Sequence, residues 1–231
     1  MKRIAKKIQF ELNYKIVSNI LFGIVGFLVF CHILSLTIFD WSWQWEKFFN
    51  LDFENNIPTW FSGFLWLGSA IVSFLISSTS ENLRKRILWF SVSLFFLYLG
   101  CDEVAVFHER LAGFIYSWIF GYNPNFNGRN WALILPPLAI IFCFGISLLL
   151  REDFKTHLKP AVQIAIGFFI FILGAAGFDF LTGILVNIQS LNRTQRFMII
   201  AEELLEMSGS ILILLGLLEF LNARNRRLRY S

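Results

Sequence analysis

Charge is what this sequence has least of. Only 16% of its 231 residues are Asp, Glu, Lys or Arg, against about 25% in a soluble domain. With 56% hydrophobic residues and a mean hydropathy of +0.62, the chain lies outside the range of ordinary soluble folds. Cysteine is almost as scarce. Cys31, Cys101 and Cys143 each sit inside an apolar run, which excludes a disulfide framework and reads as packing. There are only three histidines, His32, His108 and His157. That scarcity excludes two membrane-enzyme patterns. Di-iron carboxylate enzymes use Glu-x-x-His pairs, but here the spacing is Glu103-x4-His108 and the last apolar segment has no histidine. Zinc amidases of the alkaline ceramidase type need several intramembrane histidines, and this chain offers His32 and His108. Walker A, G-x-S-x-G and Rossmann fingerprints are absent as well.

What is present is apolar sequence in long runs. Six segments emerge, at about 16–39, 58–79, 87–120, 131–150, 160–188 and 194–222, in one integral membrane domain covering 1–231. Within a bilayer every backbone N–H must be paired inside its own segment, so runs of this length are helices. The expected fold is therefore all-α, a six-helix polytopic bundle. The first run is too long for a cleavable signal and lacks a small-residue cleavage site, so it reads as a retained span. Pro136-Pro137 predicts a kink or break in the fourth segment. The "GAAG" at 174–177 predicts close approach of another helix to the fifth. The third segment would span roughly 50 Å as one straight helix, against a ~30 Å hydrocarbon core. It should tilt or turn its end, 111–122, along the surface, with Gly113 and Gly121 allowing the turn.

The pI near 9.1 comes from basic residues clustered beside apolar runs, the pattern of membrane topology, and nothing supports nucleic-acid binding. Lys and Arg crowd the N-terminal arm, the 80–86 and 151–159 loops and the C-terminal tail, while loop 40–57 has one lysine against four acids and loop 121–130 has one arginine. The positive-inside rule then predicts both termini in the cytoplasm. The expected location is a cell membrane of the bacterial inner-membrane kind. Trp41, Trp43 and Trp45 of loop 40–57 read as interfacial anchors. His157 reads as a solvated loop residue and His32 as a packed, hydrogen-bonded one. Glu219 reads as a surface ion pair beside the basic tail.

Seven carboxylates fall within spans, away from their ends: Asp102, Glu103, Glu109, Asp179, Glu202, Glu203 and Glu206. At about 2.5–3.5 kcal/mol each on a lone helix, they would together cost roughly 20 kcal/mol, more than a protein's whole stability. They must face one another. Depth along each helix at ~1.5 Å per residue puts all of them, with His108 and His32, in the outer half. Glu202, Glu203 and Glu206 share an arc of about 100°, and Asp102 and Glu109 lie about 20° apart. Glu103 and His108 point to either side, so a straight third helix cannot aim all four groups at one point. Antiparallel pairing of the third and sixth helices would set Glu206 opposite Asp102 or Glu103 and Glu202 near Glu109, giving a two-layer acidic cleft.

Few cations are at hand: Arg110, Arg193, Arg196 and any protonated histidine. The excess carboxylates must hold protons or bind a cation. Asp102, His108, Glu202, Glu203 and Glu206 are the candidate ligands of a divalent metal: zinc, iron or manganese with the histidine, magnesium or calcium with carboxylates alone. Glu103, Glu109 and Asp179 are the candidate catalytic acids and bases. Three classes of function fit: a metal-dependent membrane enzyme acting on a lipid-like substrate, a proton- or cation-coupled transporter or channel, and a structural or accessory subunit. The expected partners are the bilayer and a lipid or cation ligand.

Overall fold

A computed structural model describes residues 13–37, 43–80, 82–121, 135–178, 181 and 192–230. All regular elements among them are helices: α1 (Tyr14–Thr37), α2 (Trp43–Phe49), α3 (Ile57–Ser78), α4 (Leu83–Ala105), α5 (Phe107–Phe120), α6 (Leu135–Leu149), α7 (Arg151–Thr156), α8 (Leu158–Ile172) and α9 (Asn192–Tyr230). A widened π turn, Leu173–Phe178, continues α8. Five described stretches are long and apolar enough to cross a membrane: Tyr14–Ser35, Ile57–Ser78, Leu83–Ala105, Leu158–Phe178 and Phe197–Arg226. Large apolar side chains cover the outside of the bundle, among them Phe27, Phe64, Ile71, Phe144 and Phe169. Such a surface belongs against lipid, and the chain is built as a multi-pass membrane protein. The expected fourth span corresponds to α6, whose 15 described residues give about 22 Å of helix. Pro136 and Pro137 lie at the start of its described part, and the expected kink or break at them borders residues outside the described ones.

Asparagines cap α3 and α4. Asn56 caps α3, its Oδ1 accepting from Thr59 N at 3.1 Å, with Pro58 in the first turn. Asn82 caps α4 by accepting from Arg84 N at 2.8 Å. Helix α3 carries Ser69, Ser73 and Ser77 as a buried row of small residues, and it packs along α4 on one side and α9 on the other. Ser93 Oγ on α4 donates to Ala70 O at 2.9 Å, and Ser77 Oγ donates to Arg86 O at 2.8 Å, tying α3 to α4. Helix α8 lies along α9 through glycines. A Cβ on Gly209 would come within 2.6 Å of Phe171 N, and one on Gly167 within 2.8 Å of Gly209 O. Gly174, from the "GAAG" stretch, meets Glu202 and Glu206 of α9 in the same way, so the expected close approach is present. Helix α1 closes the other face of α9, packing Val25 and Leu28 with Met207, Ile211 and Leu215.

The basic loops gather at one end of the bundle. Lys85 pairs with Asp153, which also accepts from Trp89 Nε1 at 3.2 Å. Lys159 pairs with Glu219 at 2.9 Å, as expected of Glu219, and Arg224 donates to Thr79 O at 3.3 Å. His157 departs from expectation: it sets its ring edge-on to Phe220, with centroids 4.8 Å apart, and takes part in packing. Towards this end the interior is filled by Trp66, Trp89, Phe96, Ile213, Leu217 and Phe220, each at most 1% exposed. All three cysteines are free; Cys31 is buried as expected of a packing residue, Cys143 is half-buried, and Cys101 departs from expectation by being exposed.

Candidate functional site

The third apolar segment is two helices. The break falls at Val106, between Glu103 and His108, and neither Gly113 nor Gly121 makes it. Val106 is left-handed, φ 52° and ψ 46°, a conformation that a β-branched residue rarely adopts. Asp102 holds this turn together. Its carbonyl accepts from Val106 N at 2.7 Å. Its carboxylate accepts from His108 N at 2.6 Å and meets His108 Nδ1 at 3.0 Å. One carboxylate thus satisfies a donor in the first turn of α5 and orients the imidazole beside it. The sequence places His108 about 120° from Asp102 on a straight helix. The break removes that misfit by restarting the helix in a new direction.

Beyond this turn lies a cavity of about 520 Å³. Asp102, Glu103 and His108 reach it from the broken segment, and Glu202, Glu203 and Glu206 from α9. Six of the eight candidate residues are therefore brought together. Glu103 lies within hydrogen-bonding reach of the Ser62 hydroxyl, and Glu103, Glu202, Glu203 and Glu206 lie within electrostatic reach of one another. Glu109 has its backbone in the first turn of α5, and its side chain lies outside the described residues, as does all of Asp179. The expected direct pairing of the third and sixth segments needs correction. Helix α4 packs on α3, and α9 packs on α8, α3, α1 and the π turn. The acids of α4 and α9 meet at the cavity, with α3 packed against both helices; towards the basic end α4 and α9 touch directly, the ring centroids of Trp89 and Phe220 lying 5.0 Å apart. Among the described residues no three His, Cys, Asp or Glu side chains are grouped to hold a metal ion.

Two acids of the cavity were missed by depth arithmetic: Asp52 and Glu54 come from the loop after α2. The available signal was the acidic balance of loop 40–57. This loop is fixed in place. The side chain of Asn50 accepts from Asp52 N at 2.9 Å, and Asn56 Nδ2 donates to Asn50 O. Thr59 Oγ1 donates to Phe53 O at 3.3 Å. His32, buried in α1, accepts from Leu51 N at 3.1 Å through Nδ1, so the expected packed, hydrogen-bonded histidine anchors the mouth. Trp45 lies tilted against Phe49, with centroids 4.7 Å apart, in the short helix leading to this loop. Trp41 lies outside the described residues, as does the side chain of Trp43.

A second cavity of about 360 Å³ is almost wholly apolar and shares Asp102, His108, Phe171 and Ala175 with the acidic one. Its other walls come from α4, α5 and α6, including Tyr98, Ile115, Leu138 and Phe142. The Asp102–His108 pair therefore stands at the seam between a polar chamber and an oily groove. Neither a curated protein nor a solved structure matches the chain. One family model does match, over residues 19–220, a stretch that includes the whole chamber and both helices of the broken segment, and the chain belongs to that family, described as "Domain of unknown function (DUF8692)".

Proposed function

We propose that this protein is a membrane enzyme that acts on a lipid-like substrate, with the acidic chamber as its reaction site. The observation that carries this reading is the seam: a polar chamber and an apolar groove with the Asp102–His108 pair in the wall of both. An amphiphile would expose its head to the acids and its chain to the groove. A carboxylate on Nδ1 fixes the imidazole tautomer and directs the Nε2 lone pair elsewhere, the arrangement of a general base. His108 would take the proton of an attacking water, with Glu103 returning a proton to the leaving group. The described acids are not grouped to hold a metal ion as they stand, so a divalent cation would need Glu202, Glu203 and Glu206 to close around it, and it would then supply polarisation of the scissile bond while Glu103 keeps its proton-donor role. Asp102, engaged by His108 and its backbone N–H, is better suited to positioning than to ligation. The transporter reading uses the same carboxylates as exchange sites. The packed apolar interior between chamber and basic end favours the enzyme.

The test uses purified protein in nanodiscs, incubated with a total bacterial lipid extract and with Mg²⁺, Mn²⁺ or Zn²⁺ in turn. Mass spectrometry should find at least one lipid species consumed by the wild type, with turnover lowered at least 100-fold by His108→Gln. Chelator should lower both turnover and melting temperature, since a ion bound only by the native state stabilises it. Lipid profiles identical with and without protein under every metal would overturn the enzyme reading. Unchanged melting on chelation would remove the metal from it.

We further propose six spans, with α6 the fourth, and both termini in the cytoplasm of a bacterial-type plasma membrane. The clustering of the 79–86 and 151–159 loops with the end of α9 supports this, because basic clusters favour the inner side. Asn55→Cys should react with an impermeant maleimide on intact cells, and Lys155→Cys only after lysis. The reverse pattern would invert the topology.

A further inference from the structure

The apolar groove does not end at the chamber's wall. A third cavity of about 300 Å³ lies further along, lined by Trp89, Cys143, Ile146 and Phe154, and it too includes Phe95 and Phe142. Those two rings, with centroids 4.9 Å apart, stand between the two apolar spaces. Both spaces lie between α4, α6 and α8, so together they form one track along the bundle, narrowed at one point. At the far end of the track, among the described residues, seven carboxylates line the chamber with Arg110 and His108.

We propose that this track holds the single hydrocarbon chain of an amine-headed amphiphile, and that Phe95 and Phe142 form the stop that sets the chain length accepted. The inference rests on the lipid-like substrate proposed above and names its class. Charge complementarity selects the head. A chamber with this excess of carboxylates attracts an ammonium group and repels a phosphate, which favours a single-chain amine over a phospholipid. The continuity of apolar walls from His108 to Phe142 selects the chain. Because lipid tails are as apolar as the groove, fit and head charge decide retention, and the aromatic pair across the track decides fit.

The experiment uses the full chain in nanodiscs and two photoreactive hexadecylamines, one with a diazirine at mid-chain and one at the terminal carbon. The mid-chain probe should label Leu138, Ile115 or Phe142. The terminal probe should label the vicinity of Phe95 and Phe142 in the wild type and reach Ile146 or Phe154 in Phe142→Ala. Phe142→Trp, which adds bulk at the stop, should reduce terminal labelling at least fivefold while a decylamine probe still labels Leu138. The matching alcohol should label the track at least tenfold less than the amine, and Glu203→Gln should lower amine labelling where Glu219→Gln does not. Equal labelling by amine and alcohol would overturn the head assignment. Adducts spread over the lipid-facing Phe27, Phe64 and Phe144, or preferred labelling by a phosphatidylethanolamine probe, would overturn the track. A correctly labelled track in a protein that turns over no lipid would leave this proposal standing and remove the enzyme reading. Lipid turnover with labels elsewhere would do the opposite.

Discussion

Gly209→Val should destabilise the protein by on the order of 3 kcal/mol, the upper end of what overpacking usually costs. The added Cβ alone would sit 2.6 Å from Phe171 N and 2.7 Å from Gly167 O. Both are backbone atoms, which cannot rotate away as a side chain can. Helix α8 would have to move off α9, taking the π turn and Gly174 with it, and the glutamates of α9 would lose part of their wall. The same change at Gly145, whose Cβ position has nothing within 4 Å, should stay within about 0.5 kcal/mol of wild type. Unfolding by SDS titration in mixed micelles compares the two. Equal effects would mean that the glycine seam does not hold α8 to α9.

Asp102→Ala should cost about 3 kcal/mol, concentrated at the junction of α4 and α5. It removes a 2.6 Å bond to a backbone N–H and a 3.0 Å contact to the imidazole, each to a charged acceptor and worth about 1.5–3 kcal/mol. Hydrogen exchange should accelerate in a peptide covering 103–112 and stay unchanged in α3. Val106→Gly should act in the opposite sense. A left-handed L-residue costs roughly 1–2 kcal/mol, so glycine at φ 52° should stabilise by up to about 1 kcal/mol. If Asp102→Ala leaves exchange as slow as in the wild type, the carboxylate does not hold the break.

The fold was readable where the physics is one-dimensional. Expected segments 16–39 and 58–79 meet α1 (Tyr14–Thr37) and α3 (Ile57–Ser78) to within two residues at each end, because a bilayer demands long apolar helices and little else. The cluster of acids was readable for a related reason: Asp102, Glu103, Glu202, Glu203 and Glu206 are too costly to leave facing lipid. The break at Val106 was not readable. No glycine or proline marks it, and its cause is a carboxylate reaching six positions along the chain, a tertiary preference that helical periodicity cannot register. Asp52 and Glu54 were hidden for a different reason. They lie outside the apolar runs, and tertiary bonds such as that from Leu51 N to His32 and from Thr59 Oγ1 to Phe53 O hold their loop over the chamber. The packing order is not readable from two acidic faces: α3, with its buried row of small serines, packs against both α4 and α9.

The packing of α1 against α9 also fixes an order of assembly. Among the described helices, α1 is made long before its main partner, α9. Synthesis at ~5–20 residues per second leaves Val25 and Leu28 waiting roughly 10–40 s for Met207, Ile211 and Leu215. Local pairs, α3 with α4 and then α8 with α9, form while α1 stands alone in lipid. The carboxylates of α9 thus enter a cleft whose opposite wall is already built, and the docking of α1, with His32 taking hold of the mouth loop, is the step that completes the chamber.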